Sequence, residues 1–279
     1  MASFGWSAAA ASFAALLTAG GARAEVGGLL SHRAVYELSL KAAEGAHAPA
    51  AARGLIVFDI QGSSCEGWTT TFRQITDVTP SEGETRRSDM TSNAFEEPDF
   101  SAMRFRVETR EAQTSKLVQG AASRSEGGLS IALTRPMRQK VDLGEEARFP
   151  THQTLGVIEA ARAGRSTYEV RLFDGSDSGQ KVYETTTLIG PARVDAAPEA
   201  AAQDEALKGH VRWPVTMSYF EPGSADRAPA YVLSYDLYDN GVSRNLTLDY
   251  GVFALAGTLK EIKVYPGKAC ERPNASDAR

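Results

Sequence analysis

Side chains that alternate apolar and polar with a period of two, in run after run, constrain this chain more than any other feature. Tyr36, Leu38 and Leu40 alternate with Arg33, Val35, Glu37, Ser39 and Lys41. Successive side chains of a strand point to opposite faces, so this pattern puts one face in a core and the other in water. The same alternation recurs at 54–60, 68–75, 102–109, 129–134, 168–173, 182–188, 210–220, 231–238, 243–250 and 252–265, with turn residues between most of the runs. So many strands, with so few helical stretches, predict an all-β sheet that curls or closes, because a long flat sheet leaves its edges exposed.

One helix interrupts the pattern. Pro150 and Thr151 form a start signal, with Thr151 placed to accept backbone N–H bonds. Leu155, Ile158 and Ala161 then fall on one face and Gly164 supplies a stop, so an amphipathic helix is expected over 151–163, plugging or covering an opening of the sheet. Residues 195–207 are Ala, Pro and acidic residues between two strand patterns and read as a flexible, solvated loop with a frayed helical turn. Around Asn240-Gly241 the alternation of Tyr231, Leu233, Tyr235 and Leu237 gives way to that of Leu246, Leu248 and Tyr250. This predicts a hairpin with a type I′ turn, and Asp236, Asp239 and Asp249 on its wet face or in its turn.

The N-terminus bounds the compartment. The apolar run 8–17, followed by Ala22-Arg23-Ala24, reads as a signal peptide spanning 1–24, too short to cross a bilayer, which leaves residues 25–279 as a single secreted domain. No cysteine follows the cleavage region to carry a lipid, so the mature form is expected to be soluble, with no transmembrane span. The chain carries 30 Lys and Arg against 35 Asp and Glu, a net charge of −5, and removal of the leader takes Arg23 with it. That acidic balance argues against nucleic acid and against a cationic membrane-binding surface. Cys65 and Cys270 share no CxxC or Cys/His spacing. In an oxidising compartment they read as one disulfide joining an early strand to the C-terminal tail, with two unrelated buried thiols as the alternative.

Residue constellations for chemistry are sparse. His32, His47, His152 and His210 are widely spread without metal-ligand spacing, and His152, at the start of the predicted helix, is the functional candidate among them, set against a purely structural role. The stretch Asp174 to Gly179, DGSDSG, places Asp177 where a hydrolase elbow needs Ser and lacks the later Glu of a calcium loop, so it reads as a hairpin turn. Trp68, Trp213 and Tyr219 sit in strand patterns as core or ligand-groove aromatics. Glu96-Glu97 and Glu145-Glu146 read as solvated turns. No catalytic residue, cofactor or metal is assigned on these grounds.

Seven segments taken together resemble the EipB family of periplasmic cell-envelope integrity proteins of Gram-negative bacteria. They are Ser31-His32-Arg33-Ala34-Val35-Tyr36, Cys65-Glu66-Gly67-Trp68, Phe149-Pro150-Thr151-His152, Phe173-Asp174-Gly175-Ser176, Trp213-Pro214-Val215-Thr216-Met217-Ser218-Tyr219-Phe220, Leu237-Tyr238-Asp239-Asn240-Gly241-Val242-Ser243-Arg244 and Leu248-Asp249-Tyr250-Gly251. The resemblance implies a long antiparallel sheet wound into a β-spiral, an incompletely closed barrel like the lipoprotein carriers of the Lol system. It also implies a structural disulfide, carried onto Cys65 and Cys270, a non-enzymatic role in envelope integrity under stress, and a link to a periplasmic TPR-repeat protein. Two positions depart from the pattern: His152 precedes Gln153 where the family often has the reverse order, and Val252 stands where Asp often follows Tyr-Gly. Three readings follow: a binding protein for a lipid or acyl-chain ligand or an envelope partner, a purely structural interaction module, and an envelope hydrolase using His152 or the pair Asp236 and Asp249.

Overall fold

The computed structural model describes residues 28–45, 48–144, 146–223, 228–267 and 270. The predicted leader, residues 1–24, and His47 lie outside the described residues. Fourteen strands among them form one antiparallel sheet; three of them, at Arg86–Glu96, Thr114–Ser125 and Gln139–Asp142, lie outside the alternating runs of the sequence. The first meander runs through β1 (His32–Ala43), β2 (Pro49–Ser63), β3 (Gly67–Pro80), β4 (Arg86–Glu96), β5 (Ala102–Glu111), β6 (Thr114–Ser125), β7 (Gly128–Arg135) and β8 (Gln139–Asp142). After helix α1 (Pro150–Arg162), a second meander runs through β9 (Thr167–Leu172), β10 (Tyr183–Ile189), β11 (Arg212–Phe220), β12 (Tyr231–Tyr238), β13 (Ser243–Asp249) and β14 (Phe253–Val264). The two meet in the middle of the sheet, where β1 pairs with β14 from His32↔Val264 to Ala43↔Phe253.

Strands β8 and β9 are the outer edges and do not pair with each other. The segment leading into α1 stitches across the gap instead. Arg148 N donates to Arg171 O at 2.8 Å and Phe173 N donates to Arg148 O at 2.9 Å, a single parallel bridge. The sheet curls without closing, which leaves each edge short or covered. Its curl brings Ile60 and Trp68 of the first meander and Val215 and Met217 of the second around the same helix. A separate cluster joins Phe105, Val118 and Leu133 of the first meander to Phe149, Phe173 and Val182 beside the β9–β10 connection. That connection, 173–182, is the hairpin turn expected from DGSDSG, and it needs its glycines: a Cβ on Gly175 would lie 2.5 Å from the Phe105 ring.

The helix is a plug, and it is buried more completely than one apolar stripe would make it. Gly156, Val157, Ile158, Ala160 and Ala161 are all buried, and small residues cover the sides that an amphipathic helix would leave wet. Gly156 passes so close under Tyr168 that an added Cβ would lie 2.1 Å from the phenol oxygen. Pro150 occupies the first turn as expected, but the residue preceding the helix is Phe149 and Thr151 makes no side-chain cap. At the other end Gly164, at φ 70, ends the helix with its N–H on Ala161 O at 3.0 Å.

One loop expectation changes and a second is met in part. The hairpin at Asn240-Gly241 is present, but its turn is not type I′. Only Gly241 takes positive φ, at 87, its N–H reaches Tyr238 O at 2.9 Å, and Tyr238 N donates to Val242 O at 2.8 Å. This is the three-residue form, a type I turn with glycine in the left-handed position. The segment 195–207 is a largely exposed loop with a short 3-10 turn at Ala200–Gln203, as expected, but Ala197, Ala202 and Leu207 are buried against Tyr238, Val242 and Leu255.

Candidate functional site

The aromatics considered as a ligand groove fill the interior rather than line an opening. Trp68, Trp213 and Tyr219 are all buried in the cluster around α1. Tyr219 stacks on Tyr231 at 4.1 Å and meets Tyr183 edge-on at 5.9 Å, and burial pushes its phenol up to about 12. Two shallow recesses lie at the surface, one of about 310 Å³ beside Asp99, Arg124 and Glu126, the other of about 380 Å³ beside Ala200, Gln203 and Lys260. None of the three aromatics lines either recess.

At the mouth of the plug, His152 stands beside a carboxylate that sequence patterning assigned to a wet turn. Glu96, the last residue of β4, is only 1% exposed. Its Oε1 accepts from Thr151 N at 2.8 Å and its Oε2 from His152 N at 3.2 Å, so it caps the helix from 55 residues away. A carboxylate at a helix N-terminus satisfies free N–H groups and meets the positive end of the dipole. Burial nevertheless dominates and raises the Glu96 carboxyl to about 6, against the lowering effect of its bonds to Thr151 and His152. The His152 ring stacks on Phe100 at 4.5 Å, with Arg124 Nη1 at 3.5 Å from its Nδ1. Burial first, then the charges of Arg148 and Arg124, lower the imidazole to about 4. His152 is therefore neutral at physiological pH and serves as a stacked wall of the helix entrance.

The raised Glu96 carboxyl carries a testable sign. Its folded value, about 6, lies above the unfolded value of 4.5. The folded state thus holds the proton more tightly, so this stabilisation is complete below about 4.5 and is lost as pH rises through about 6. The shift corresponds to about 2 kcal/mol. His152 acts in the opposite sense, contributing above its unfolded value and losing that contribution as pH falls through about 4, but it is half-exposed and its effect is reduced by solvent. Glu96→Gln is expected to remove the downward slope of stability between pH 4.5 and 6.5. Urea midpoints of the two proteins at several pH values isolate this, because His152 is common to both; identical slopes would show that Glu96 is an ordinary carboxyl.

A third feature escaped sequence patterning altogether. Asp236, assigned to the wet face of its hairpin, is buried at the centre of a charge network. Its Oδ2 lies 2.5 Å from Arg244 Nη1 and 3.4 Å from Arg212 Nε. Both arginines are buried, and each reaches a carboxylate of the segment 195–207: Arg244 Nη2 lies 2.5 Å from Glu199 and Arg212 Nη2 2.9 Å from Asp195. Asp249, its proposed acid partner in a hydrolase, sits at the far end of β13, pairs with Val232 and accepts from Gly251 N at 2.8 Å. Of the remaining histidines, His32 is buried with Nδ1 2.7 Å from Leu30 O, and His210 Nδ1 lies 2.5 Å from Asp239. Among the described residues no group of three or more His, Cys, Asp or Glu could hold a metal ion.

Cys65, at the β2–β3 turn, is bonded to Cys270, with Cα atoms 5.7 Å apart. The expected clasp is present. It fastens the chain beyond β14 to the turn two strands away, where Tyr265 N also donates to Ser31 O at 2.9 Å.

A family model described as EipB-like matches residues 23–266. The chain is 34% identical over 239 residues to the cell envelope integrity protein EipB of Brucella abortus, covering 85% of each chain. It is also similar to the crystal structure of a beta-barrel-like protein of a domain of unknown function from Brucella abortus, with TM-score 0.80 and 32% identity over 86% of this chain and 99% of that one.

Proposed function

The chain belongs to the EipB-like family, and from that membership we propose that it keeps the cell envelope intact as a non-enzymatic protein of the periplasm, working by holding a protein partner. Envelope integrity is the role named for its Brucella abortus relative. A periplasmic location is supported by the leader-like residues 1–24 and by the bonded Cys65–Cys270 pair, which suits an oxidising compartment. The non-enzymatic reading is supported by how the candidate groups are spent. Glu96 caps α1, Asp236 is held between two arginines, and His152 is stacked and neutral.

The observation that carries partner binding over an acyl-chain ligand is the filled interior. A lipid site needs a concave apolar cavity, and here α1, Trp68, Trp213 and Tyr219 occupy the space one would use. A TPR-repeat protein is the partner the resemblance suggests. In-cell crosslinking from the outer strands is expected to capture a periplasmic protein. Native mass spectrometry of protein taken from the periplasm is expected to find no stoichiometric lipid. A lipid held one-to-one, with no protein crosslink, would reverse the conclusion.

A further inference from the structure

The connection between β10 and β11 runs from 190 to 211, although these strands are neighbours in the sheet. Connections longer than about 12–15 residues in a compact fold commonly serve as lids or binding loops. Here the segment 195–207 lies as a strap across the β12–β13 hairpin and the neighbouring β14, and the chain enters and leaves it at one backbone bridge. Arg193 before the strap and Arg212 after it exchange backbone bonds of 2.8 and 3.0 Å, and Gly209, at φ 75, stands in open space where the chain returns to β11. Between them the strap touches the sheet through Ala197, Ala202 and Leu207, through Asp195 and Glu199, and through Asn240 Nδ2 donating to Ala206 O at 3.1 Å.

The charges divide unevenly between strap and sheet. The sheet contributes Arg212 and Arg244 against Asp236 alone, an excess of one buried positive charge. The strap supplies two carboxylates against it, Glu199 with a side chain 11% exposed and Asp195 with one 70% exposed, so the closed network carries one net negative charge. Arg212 directs its Nε at Asp236 and its Nη2 at Asp195, and Arg244 directs Nη1 at Asp236 and Nη2 at Glu199, so each guanidinium is shared between the sheet and the strap. The hairpin thus presents two buried guanidiniums and an apolar surface, and it holds an acidic segment of its own chain through charge-assisted pairs and apolar contacts.

We infer that the strap 195–207 is a displaceable, built-in occupant of this surface, and that an acidic, alanine-rich segment of a partner protein takes its place. The occupant is a peptide because what the surface now holds is one, fastened through Ala197, Ala202 and Leu207 and through the two carboxylates Asp195 and Glu199. The inference rests on the protein-partner reading above.

Hydrogen exchange on the intact chain tests the strap without any partner. Its amides are expected to exchange at least tenfold faster than those of β12 and β13, and another tenfold faster in Asp195→Ala/Glu199→Ala, with β12 and β13 unchanged. The unlatched variant is then expected to bind a synthetic peptide of residues 194–208, at least tenfold more tightly than the same peptide with both acidic positions changed to alanine. A strap that exchanges only together with β12 and β13 in the wild-type chain is a fixed part of the core and overturns the inference, even if partner crosslinks survive elsewhere on the sheet. Failure of the unlatched variant to bind the peptide overturns it too, as does displacement of the strap by dodecanoate and not by the peptide.

Discussion

Asp236→Ala is expected to lower the stability of the fold by about 3–5 kcal/mol, the cost of stranding buried charge when one partner of an ion pair is removed. Asp236 is the acceptor that Arg212 and Arg244 share within the sheet, at 3.4 and 2.5 Å. Without it, two guanidiniums would face each other behind the strap with only Asp195 and Glu199 to balance them. Their mutual repulsion is strong at low dielectric, and both arginines are buried. The effect should reach the strap as well, because the same arginines hold Asp195 and Glu199. Urea unfolding at neutral pH measures it as a drop in midpoint. Replacing Arg212, Asp236 and Arg244 together with apolar residues of similar volume should recover most of the loss, since a buried network replaced whole leaves nothing unpaired. A single-variant loss below about 1 kcal/mol would mean that water solvates the network, and the strap would then be a loose cover.

Cys65→Ser and Cys270→Ser are each expected to destabilise the chain by about 4–5 kcal/mol and to lower the melting temperature by roughly 10 °C. The bond joins residues 205 apart, and closing so long a loop removes much of the conformational freedom of the unfolded chain. Its position adds to this expectation. Strands β1 and β14 meet at the centre of the sheet, so the junction between the two meanders depends on the last long strand staying in register. The clasp ties the chain just beyond β14 to the β2–β3 turn and resists peeling from that end. Calorimetry on the two single variants, the double variant and the reduced wild-type chain should give four coincident transitions below that of the oxidised protein. Melting unchanged from the oxidised protein would show that β1–β14 pairing holds the junction without help.

Glu96, Asp236 and the buried contacts of the strap were missed by sequence patterning for one shared reason. A charged residue in a strand or an alanine-rich acidic run has the local signature of a wet surface, and only a partner distant in sequence reverses it. Glu96 is buried because the start of α1 arrives against it with N–H groups to satisfy. Asp236 has the right parity for solvent, but the β12–β13 register shifts between Ser234 and Asp236, and Asn245 takes a left-handed φ of 53. Such a bulge re-aims the side chains that follow it, here pairing Asp236 with Arg244.

What the sequence by itself determined is the material of the fold. Strand periodicity, the helix between Pro150 and Gly164, the 173–182 hairpin turn and the availability of two sulfurs are set by side-chain alternation and backbone preference, which act over a few neighbouring residues. Only the tertiary structure decided what the charges do and whether the interior is open, because a carboxylate's role depends on which cation or N–H group the curled sheet brings to it. The same curl carries α1 into the space between the two meanders, a volume that no local stretch of chain encloses.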